Sequence, residues 1–168
     1  MKLHEGNLYA RTQRIRMNIK LKELSDQVIV ITGASSGIGL VTARLAAKRG
    51  ARVVLNARNE EALRQVTAEI NMQGGKAIDV VGDVGKFEEV KKIAEKAIEH
   101  FGGFDTWVNN AGVSIYGKLT EVPIEEQRRL FETNYWGVVY GSLAAVNQLR
   151  QRGGARSSQA SLAWPGAP

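Results

Sequence analysis

The sequence contains no cysteine and only two histidines among its 168 residues. Disulfide bonds, thiolate catalysis and cysteine metal sites are therefore excluded, and no metal site is expected, because His4 and His100 lie far apart along the chain. Long apolar runs are also missing, since the longest are of strand length and far short of a membrane span. No apolar signal region follows the N-terminal charges. We therefore expect a cytoplasmic protein without a metal or a membrane partner.

Acidic residues are outnumbered by basic ones, giving a formal net charge of +6 at pH 7. Residues 1–16 contribute +3, from Lys2, Arg11, Arg14 and Arg16 against one glutamate. The remaining charge is spread over the body of the chain, with no basic face interleaved with aromatic residues. We therefore expect no nucleic-acid partner.

The length and the apolar content of 43% suit one domain or a fragment of one. Residues 1–22 lack hydrophobic periodicity and are predicted to be a basic, disordered extension before a domain at 23–152. Met17 opens a second plausible start. Residues 1–16 are therefore a natural extension, a misassigned start or an Arg-rich targeting peptide, and the sequence does not choose among these.

The chain is organised around residues 27–39, QVIVITGASSGIG. It opens with β-branched, apolar residues that show neither the period of an amphipathic helix nor the apolar-polar alternation of a half-buried strand. This pattern predicts a strand covered on both faces. Gly33 allows a tight turn, Gly37 lets a ligand approach the backbone, and Gly39 lets the next helix pack closely on the strand. The N terminus of that helix offers free N–H groups and a positive dipole end, a geometry that holds a pyrophosphate.

Strand and helix patterns then alternate along the chain. The predicted strands are residues 28–31, 52–56, 77–81 and 104–108, and the predicted helices are 38–49, 60–72, 87–101 and 123–151. In the first helix, Ile38, Val41 and Leu45 share one face, and Gly50 is placed to end it with a positive φ. Helices of this length between strands require parallel pairing, hence an α/β doubly wound sheet with a ligand beyond the carboxyl ends of its strands.

Three motifs at the ends of the predicted strands resemble those of the short-chain dehydrogenase/reductase family. TGASSGIG at 32–39 resembles the opening motif of the family, GDV at 82–84 its adenine-edge motif, and NNAG at 109–112 its third motif. The motifs are specific in combination, and the resemblance covers residues 21–154. It implies a Rossmann-like sheet of strand order 3-2-1-4, incomplete after the long helix, that binds a nicotinamide dinucleotide.

The cofactor-binding residues expected from these motifs and from their positions at strand ends are Gly33, Ser35, Ser36, Gly37, Ile38, Gly39, Asn56, Arg58, Asp83, Val84, Asn110, Ala111 and Gly112. By the resemblance, Asp83 accepts a hydrogen bond from the adenine amine and the Val84 backbone meets the ring. Taken alone, Asp83 is equally a helix N-cap.

The end of the second strand indicates which nucleotide is bound. Dinucleotide folds place an acidic residue here for the adenosine ribose of NAD, but this chain has Ala57 followed by Arg58. A guanidinium pairs with a 2′-phosphate that a carboxylate would repel, and Asn56 and Ser36 add polar contacts without negative charge. We therefore predict NADP(H) rather than NAD(H). The alternative for Arg58 is a solvent-facing arginine at a helix entry.

The segment ETNYWG at 132–137 resembles the part of the family that carries a catalytic asparagine. By that resemblance, Asn134 holds a water of the proton relay and disturbs its helix through a side-chain-to-backbone bond. The family also needs a serine and a Tyr-x-x-x-Lys, because a tyrosine must protonate the developing alkoxide and a lysine must lower the pKa of that tyrosine. No tyrosine of this sequence has a lysine four residues later.

Residues 153–168 form an atypical tail where the family has a fifth strand. Ser161 lies near the count for the catalytic serine but has no strand to present it. Our hypothesis is a truncated chain, with a reading-frame change near residue 155 as one origin. Truncation would leave the fourth strand as an open edge and would expose apolar residues of the long helix, namely Leu130, Val138 and Leu143. We would then expect low stability unless another chain covers this surface.

The resemblance implies an oxidoreductase that uses NADP(H) on a small carbonyl or alcohol substrate, with little or no activity from this chain alone. The alternatives are a non-catalytic NADP(H)-binding module or partner subunit, and an inactive gene remnant. The long helix offers a surface for a homo-oligomer. The substrate cannot be deduced from the motifs.

Overall fold

The computed structural model describes residues 22–151, in which four strands alternate with helices. The strands are β1 (Val28–Thr32), β2 (Arg52–Ala57), β3 (Lys76–Val81) and β4 (Thr106–Val108). The helices are α1 (Gly37–Lys48), α2 (Glu60–Met72), α3 (Phe87–Phe101), α4 (Ile124–Phe131) and α5 (Gly137–Gln151), with a 3-10 turn at Leu24–Asp26 and a π turn at Glu132–Trp136. Residues 1–21 of the extension predicted at 1–22, and the tail predicted at 153–168 with Ser161, lie outside the described residues.

The strands form one parallel sheet in the order β3-β2-β1-β4, which confirms the predicted α/β fold and strand order. In its register, Val30 of β1 lies between Val54 of β2 and Trp107 of β4. Among the described residues β4 is an edge strand, as expected. It is shorter than predicted, although the Asp105 N–H still bonds to the Val28 carbonyl at 2.8 Å.

The sheet is buried on both faces because successive side chains of β1 enter different cores. Ile29 and Ile31 belong to a core that includes residues of α1 and α2, whereas Val28 and Val30 belong to one that includes residues of α3 and α5. All five residues of β1 are buried. Burial on two faces explains why this part of the sequence shows no alternation of apolar and polar residues.

Helix α1 buries its small residues. Its buried residues are Gly39, Ala43, Ala46 and Ala47. The large apolar residues of the predicted face, Ile38, Val41 and Leu45, remain 68%, 53% and 51% exposed. The helix lies so close to the turn after β1 that a Cβ atom on Gly39 would come within 2.2 Å of the Gly33 carbonyl oxygen, so large side chains do not fit between them.

The helix predicted at 123–151 is interrupted by the π turn, which separates α4 from α5. Leu143 is 52% exposed, as expected, whereas Leu130 and Val138 are half-buried. No helix of residues 22–151 is long and apolar enough to cross a membrane.

Candidate functional site

A cleft of about 370 Å³ opens at the carboxyl ends of the strands. Most of the predicted cofactor residues line it: Gly33, Ser35, Ser36, Ile38, Asn56, Arg58, Asp83, Val84, Asn110, Ala111 and Gly112. Gly37 and Gly39 do not line the cleft but lie in the first turn of α1 beside it. Asn134 is also outside the lining, and its contact with the cleft is indirect. The fold thus gathers residues from four segments at one place.

The glycine loop between β1 and α1 has the features that its motif predicts. Gly33 and Gly37 have φ values of +66° and +54°, which other residues rarely adopt. A Cβ atom on Gly37 would meet nothing within 4 Å, so the space beside its backbone is open. Ser36 is the N-cap of α1, yet its side chain makes no capping hydrogen bond. The N–H groups of the first helical turn are therefore left for another acceptor, next to the positive end of the helix dipole.

Thr32 and Asn110 join the loops that follow β1 and β4. The Thr32 hydroxyl accepts the N–H groups of Asn110 and Ala111 at 3.0 and 3.1 Å and donates to the Val108 carbonyl at 3.2 Å. The Asn110 side chain donates to the carbonyl groups of Thr32 and Gly33 at 3.0 and 3.2 Å. The asparagine thus ties a strand end to a loop, as expected, and the two loops hold one geometry.

Asn109 ties the end of β4 to α5. Its side-chain oxygen accepts the indole N–H of Trp107 at 2.8 Å, and its amide donates to the Ser142 hydroxyl at 3.3 Å. A Cβ atom on Gly141 would lie 2.1 Å from the Asn109 Oδ1 atom. Glycine at position 141 therefore allows α5 to approach the strand end.

Asn56 connects β2 to β3 at the side of the cleft where the nucleotide preference is expected to be set. It is 1% exposed, and its amide donates to the carbonyl groups of Val80 and Gly82 at 3.0 and 3.1 Å. Its Oδ1 atom has no hydrogen-bond partner among the described residues. Arg58 is exposed at the entry to α2, where it lines the cleft.

The loop between β3 and α3 is held by carboxylates. Asp83 does not cap α3, because its side chain accepts the Gly85 N–H at 2.9 Å and the N-cap position belongs to Lys86. The Glu89 carboxylate accepts the Asp83 N–H at 2.7 Å and pairs with Lys86 at 2.9 Å. The Asp83 N–H and then the Lys86 ammonium hold the pKa of Glu89 below its ordinary value of 4.5. Glu89 thereby fixes the backbone from which Asp83 reaches the cleft.

The π turn carries Asn134, whose side chain bonds to the loop after β4. Its oxygen accepts the Val113 N–H at 2.9 Å, and its amide donates to the Val113 carbonyl at 2.8 Å. The predicted helix disturbance is therefore present, with the bond made to another segment. π turns are frequent at functional sites. Val113 lines the cleft, so Asn134 supports its wall.

Sequence reasoning missed some lining residues, namely Ala57, Asn59, Gly82, Val113 and Thr133. Ala57, Asn59, Gly82 and Val113 are direct chain neighbours of predicted cofactor-binding residues, so adjacency was an available signal. Thr133 likewise directly precedes the predicted residue Asn134, within the segment 132–137 that resembles the family. Residues 22–151 contain no group of three or more His, Asp or Glu that could hold a metal ion.

Comparisons with known proteins agree with this fold. The family model described as short chain dehydrogenase matches residues 27–160. An uncharacterized oxidoreductase, YxnA, of Bacillus subtilis is 60% identical over 139 residues, which are 83% of this chain and 39% of the relative. The chain therefore belongs to the short-chain dehydrogenase/reductase family.

Solved structures of other proteins superpose on the chain. L-sorbose reductase from Gluconobacter frateurii, in complex with NADPH and L-sorbose, is 34% identical with a TM-score of 0.74, over 79% of this chain and 51% of that one. A short chain dehydrogenase/reductase from Burkholderia phymatum, in complex with NAD, is 32% identical with a TM-score of 0.79, over 83% and 50%. The chain thus spans about half the length of these two neighbours. It spans less than half the length of YxnA.

Proposed function

We propose that the cleft binds a nicotinamide dinucleotide and that the chain is the cofactor-binding part of an NADP(H)-dependent oxidoreductase acting on a small carbonyl or alcohol. The observation that carries the proposal is the uncapped N terminus of α1 beside an open glycine loop, within a cleft lined by the family motifs. An N terminus of this kind binds phosphate. The two neighbouring structures in complex with NADPH and with NAD support the same use of the cleft.

Each wall of the cleft has a part in this proposal. The loop from Gly33 to Gly39 binds the pyrophosphate, Asp83 and Val84 receive the adenine, and the segment from Asn110 to Gly112 borders the ribose on the nicotinamide side. The dinucleotide, when bound, supplies or accepts the hydride. The chain binds it, orients it and keeps the loops fixed through Thr32 and Asn110.

The preference for NADP(H) rests on Arg58. The residue lines the cleft and is exposed, so its guanidinium is free of burial costs when it pairs with a 2′-phosphate. Arg58→Ala is expected to weaken NADPH binding about 10- to 100-fold, the range for hydrogen bonds to a charged group, and to leave NADH binding nearly unchanged. Titration of the intrinsic NADPH and NADH fluorescence measures both affinities.

Arg128→Ala provides the matched control. Arg128 is an exposed arginine of α4 outside the cleft lining, so its replacement changes the net charge equally. An equal loss of NADPH affinity in both variants would contradict a local role for Arg58 and point to the overall charge instead.

For catalysis, we propose that Asn134 holds a water of the proton relay and that the 168-residue chain alone has little or no turnover. The reason is that its sequence contains no Tyr-x-x-x-Lys to protonate a developing alkoxide. This missing pair also supports a second candidate, a non-catalytic NADP(H)-binding module or partner subunit that joins a second copy through the stretch predicted as one long helix, now α4 and α5.

An aldehyde and ketone panel with NADPH separates these two candidates. Consumption of NADPH that depends on the carbonyl compound and is lost in Asn134→Ala would favour the oxidoreductase. Saturable NADPH binding without consumption is the result expected for the isolated chain, and it would favour the module. A turnover rate typical of enzymes, on the order of 10 per second, would contradict the expected inactivity.

A further inference from the structure

We propose that residues 14–21 of this chain bind the open edge of the sheet as an added strand beside β4. The proposal concerns the end of the sheet opposite β3 and stands without the proposed function. It joins an apolar surface of the described residues to a segment of the same chain, outside those residues, whose sequence pattern fits that surface.

Strand β4 is fully covered on only one of its faces. Trp107 is 1% exposed and belongs to the core that includes residues of α3 and α5. Val108 packs against the other core, which includes residues of α1 and α2, and is only half-buried. Among the described residues β4 pairs with β1 alone, so its outer side offers backbone groups to a further strand.

Helix α1 adds apolar side chains on the same face of the sheet. Ile38 and Leu45 are 68% and 51% exposed, while Arg44 pairs with Glu69 of α2 at 2.6 Å. Successive residues are about 100° apart around a helix, so Ile38 and Leu45 lie on the flank opposite Arg44 and away from α2. In the strand order β3-β2-β1-β4 that flank faces β4. Ile38, Leu45 and Val108 therefore border one surface, the edge surface.

The segment that precedes the described residues has the pattern of a half-buried strand. Over its full length the extension has no single period, but residues 14–21, RIRMNIKL, alternate strictly. The apolar positions are Ile15, Met17, Ile19 and Leu21, and the polar positions are Arg14, Arg16, Asn18 and Lys20. Alternation over eight residues is typical of a strand with one apolar and one solvated face. The apolar face suits the edge surface.

The chain enters the described structure beside the start of β4. The Lys22 ammonium bonds to the carboxylate of Asp105, the residue before β4, at 2.8 Å. Gln27 joins the same two segments, because its side chain donates to the Lys22 carbonyl and accepts from the Thr106 hydroxyl, both at 2.8 Å. Leu21 therefore follows directly from a residue held next to the edge strand, and the segment needs no linker to reach it.

The contact of Lys22 with Asp105 also sets the register that we expect. Residues 14–21 lead toward Lys22, so alongside β4 they run antiparallel to it, an arrangement that needs no crossover connection. An antiparallel ladder that continues from Lys22 beside Asp105 places Ile19 opposite Val108. Directly opposite residues share a face, and their Cβ atoms lie about 4.5–5.5 Å apart. Ile19 would then cover the exposed part of Val108.

The absence of cysteine from the sequence allows a disulfide test on the full 168-residue chain. Under mild oxidation, Ile19→Cys combined with Val108→Cys should form a disulfide within one chain about 10-fold faster than Asn18→Cys combined with Val108→Cys, because disulfides require close Cβ atoms and Asn18 belongs to the other face. Ile19→Cys with Met72→Cys is a second control, since Met72 is 82% exposed at the end of α2. Peptide mass spectrometry and non-reducing electrophoresis identify the linkage.

Every outcome decides the proposal. A fast disulfide within one chain for the Ile19 and Val108 pair alone supports it. A disulfide between two chains would overturn it in favour of a second copy at the edge surface, and equal rates for the Ile19 and Asn18 pairs, or no disulfide in a folded chain, would also overturn it. If Val108→Cys does not fold by circular dichroism, Leu21→Cys with Thr106→Cys tests the same register. Val108 does not line the cleft, so the result is independent of cofactor binding.

Discussion

At the scale of single residues, glycines and short polar side chains decide how closely the elements around the cleft approach one another. Gly39 brings α1 against the turn after β1, and Gly141 brings α5 against Asn109. Thr32 and Asn110 then fix the loops that these close approaches place together. A substitution that adds a single carbon at Gly39 or Gly141 would force backbone or buried polar atoms to move.

Glu89 offers a test of how the loop after β3 is stabilised. Its carboxylate holds the Asp83 N–H and Lys86, and its pKa in the folded chain is below 4.5. A lowered folded pKa means that the ionised group stabilises the fold above pH 4.5 and that this contribution is lost as the pH falls through the folded pKa. Glu89→Gln should therefore lower the free energy of unfolding by about 0.5–1 kcal/mol at neutral pH, and by less in acid.

Urea unfolding of wild type and Glu89→Gln across the acid range measures this difference. Glu95→Gln is the control, because Glu95 is an exposed glutamate of the same helix without a hydrogen bond to the loop after β3. A difference between Glu89→Gln and wild type that stays constant from neutral to acid pH would contradict the assignment.

The sequence predicted the site residues that belong to motifs, and it missed those that act through distant contacts. Asn110 and Asp83 could be predicted because the family motifs and the strand ends coincide. Glu89 could not, because its role depends on how α3 packs against the loop after β3. No local pattern encodes that packing.

At the scale of elements, the sequence predicted the existence and order of the strands and helices, and the bounds of α2 and α3 agree with the structure. The interruption between α4 and α5 had only an indirect signal, an asparagine within a helical pattern. The π turn accompanies a bond from Asn134 to Val113, which lies 21 residues away. The buried face of α1 was also beyond a periodicity argument, because close packing selected its alanines over its larger residues.

At the scale of the whole molecule, the described chain is a four-stranded sheet covered by helices, with apolar side chains exposed on α1 and on α5. Ile38, Val41 and Leu45 are exposed on α1, and Leu143 is exposed on α5 beside the edge strand β4. Low stability of the isolated chain, or its association with a second copy, stays a prediction that follows from this surface.

The most direct test of the account is a titration of the purified 168-residue chain with NADPH, with NADH in parallel. We predict saturable binding of NADPH that is tighter than that of NADH, because the pyrophosphate loop, the adenine loop and Arg58 all line the same cleft. If a folded chain binds neither dinucleotide, the claim that these residues form a competent cofactor site is contradicted.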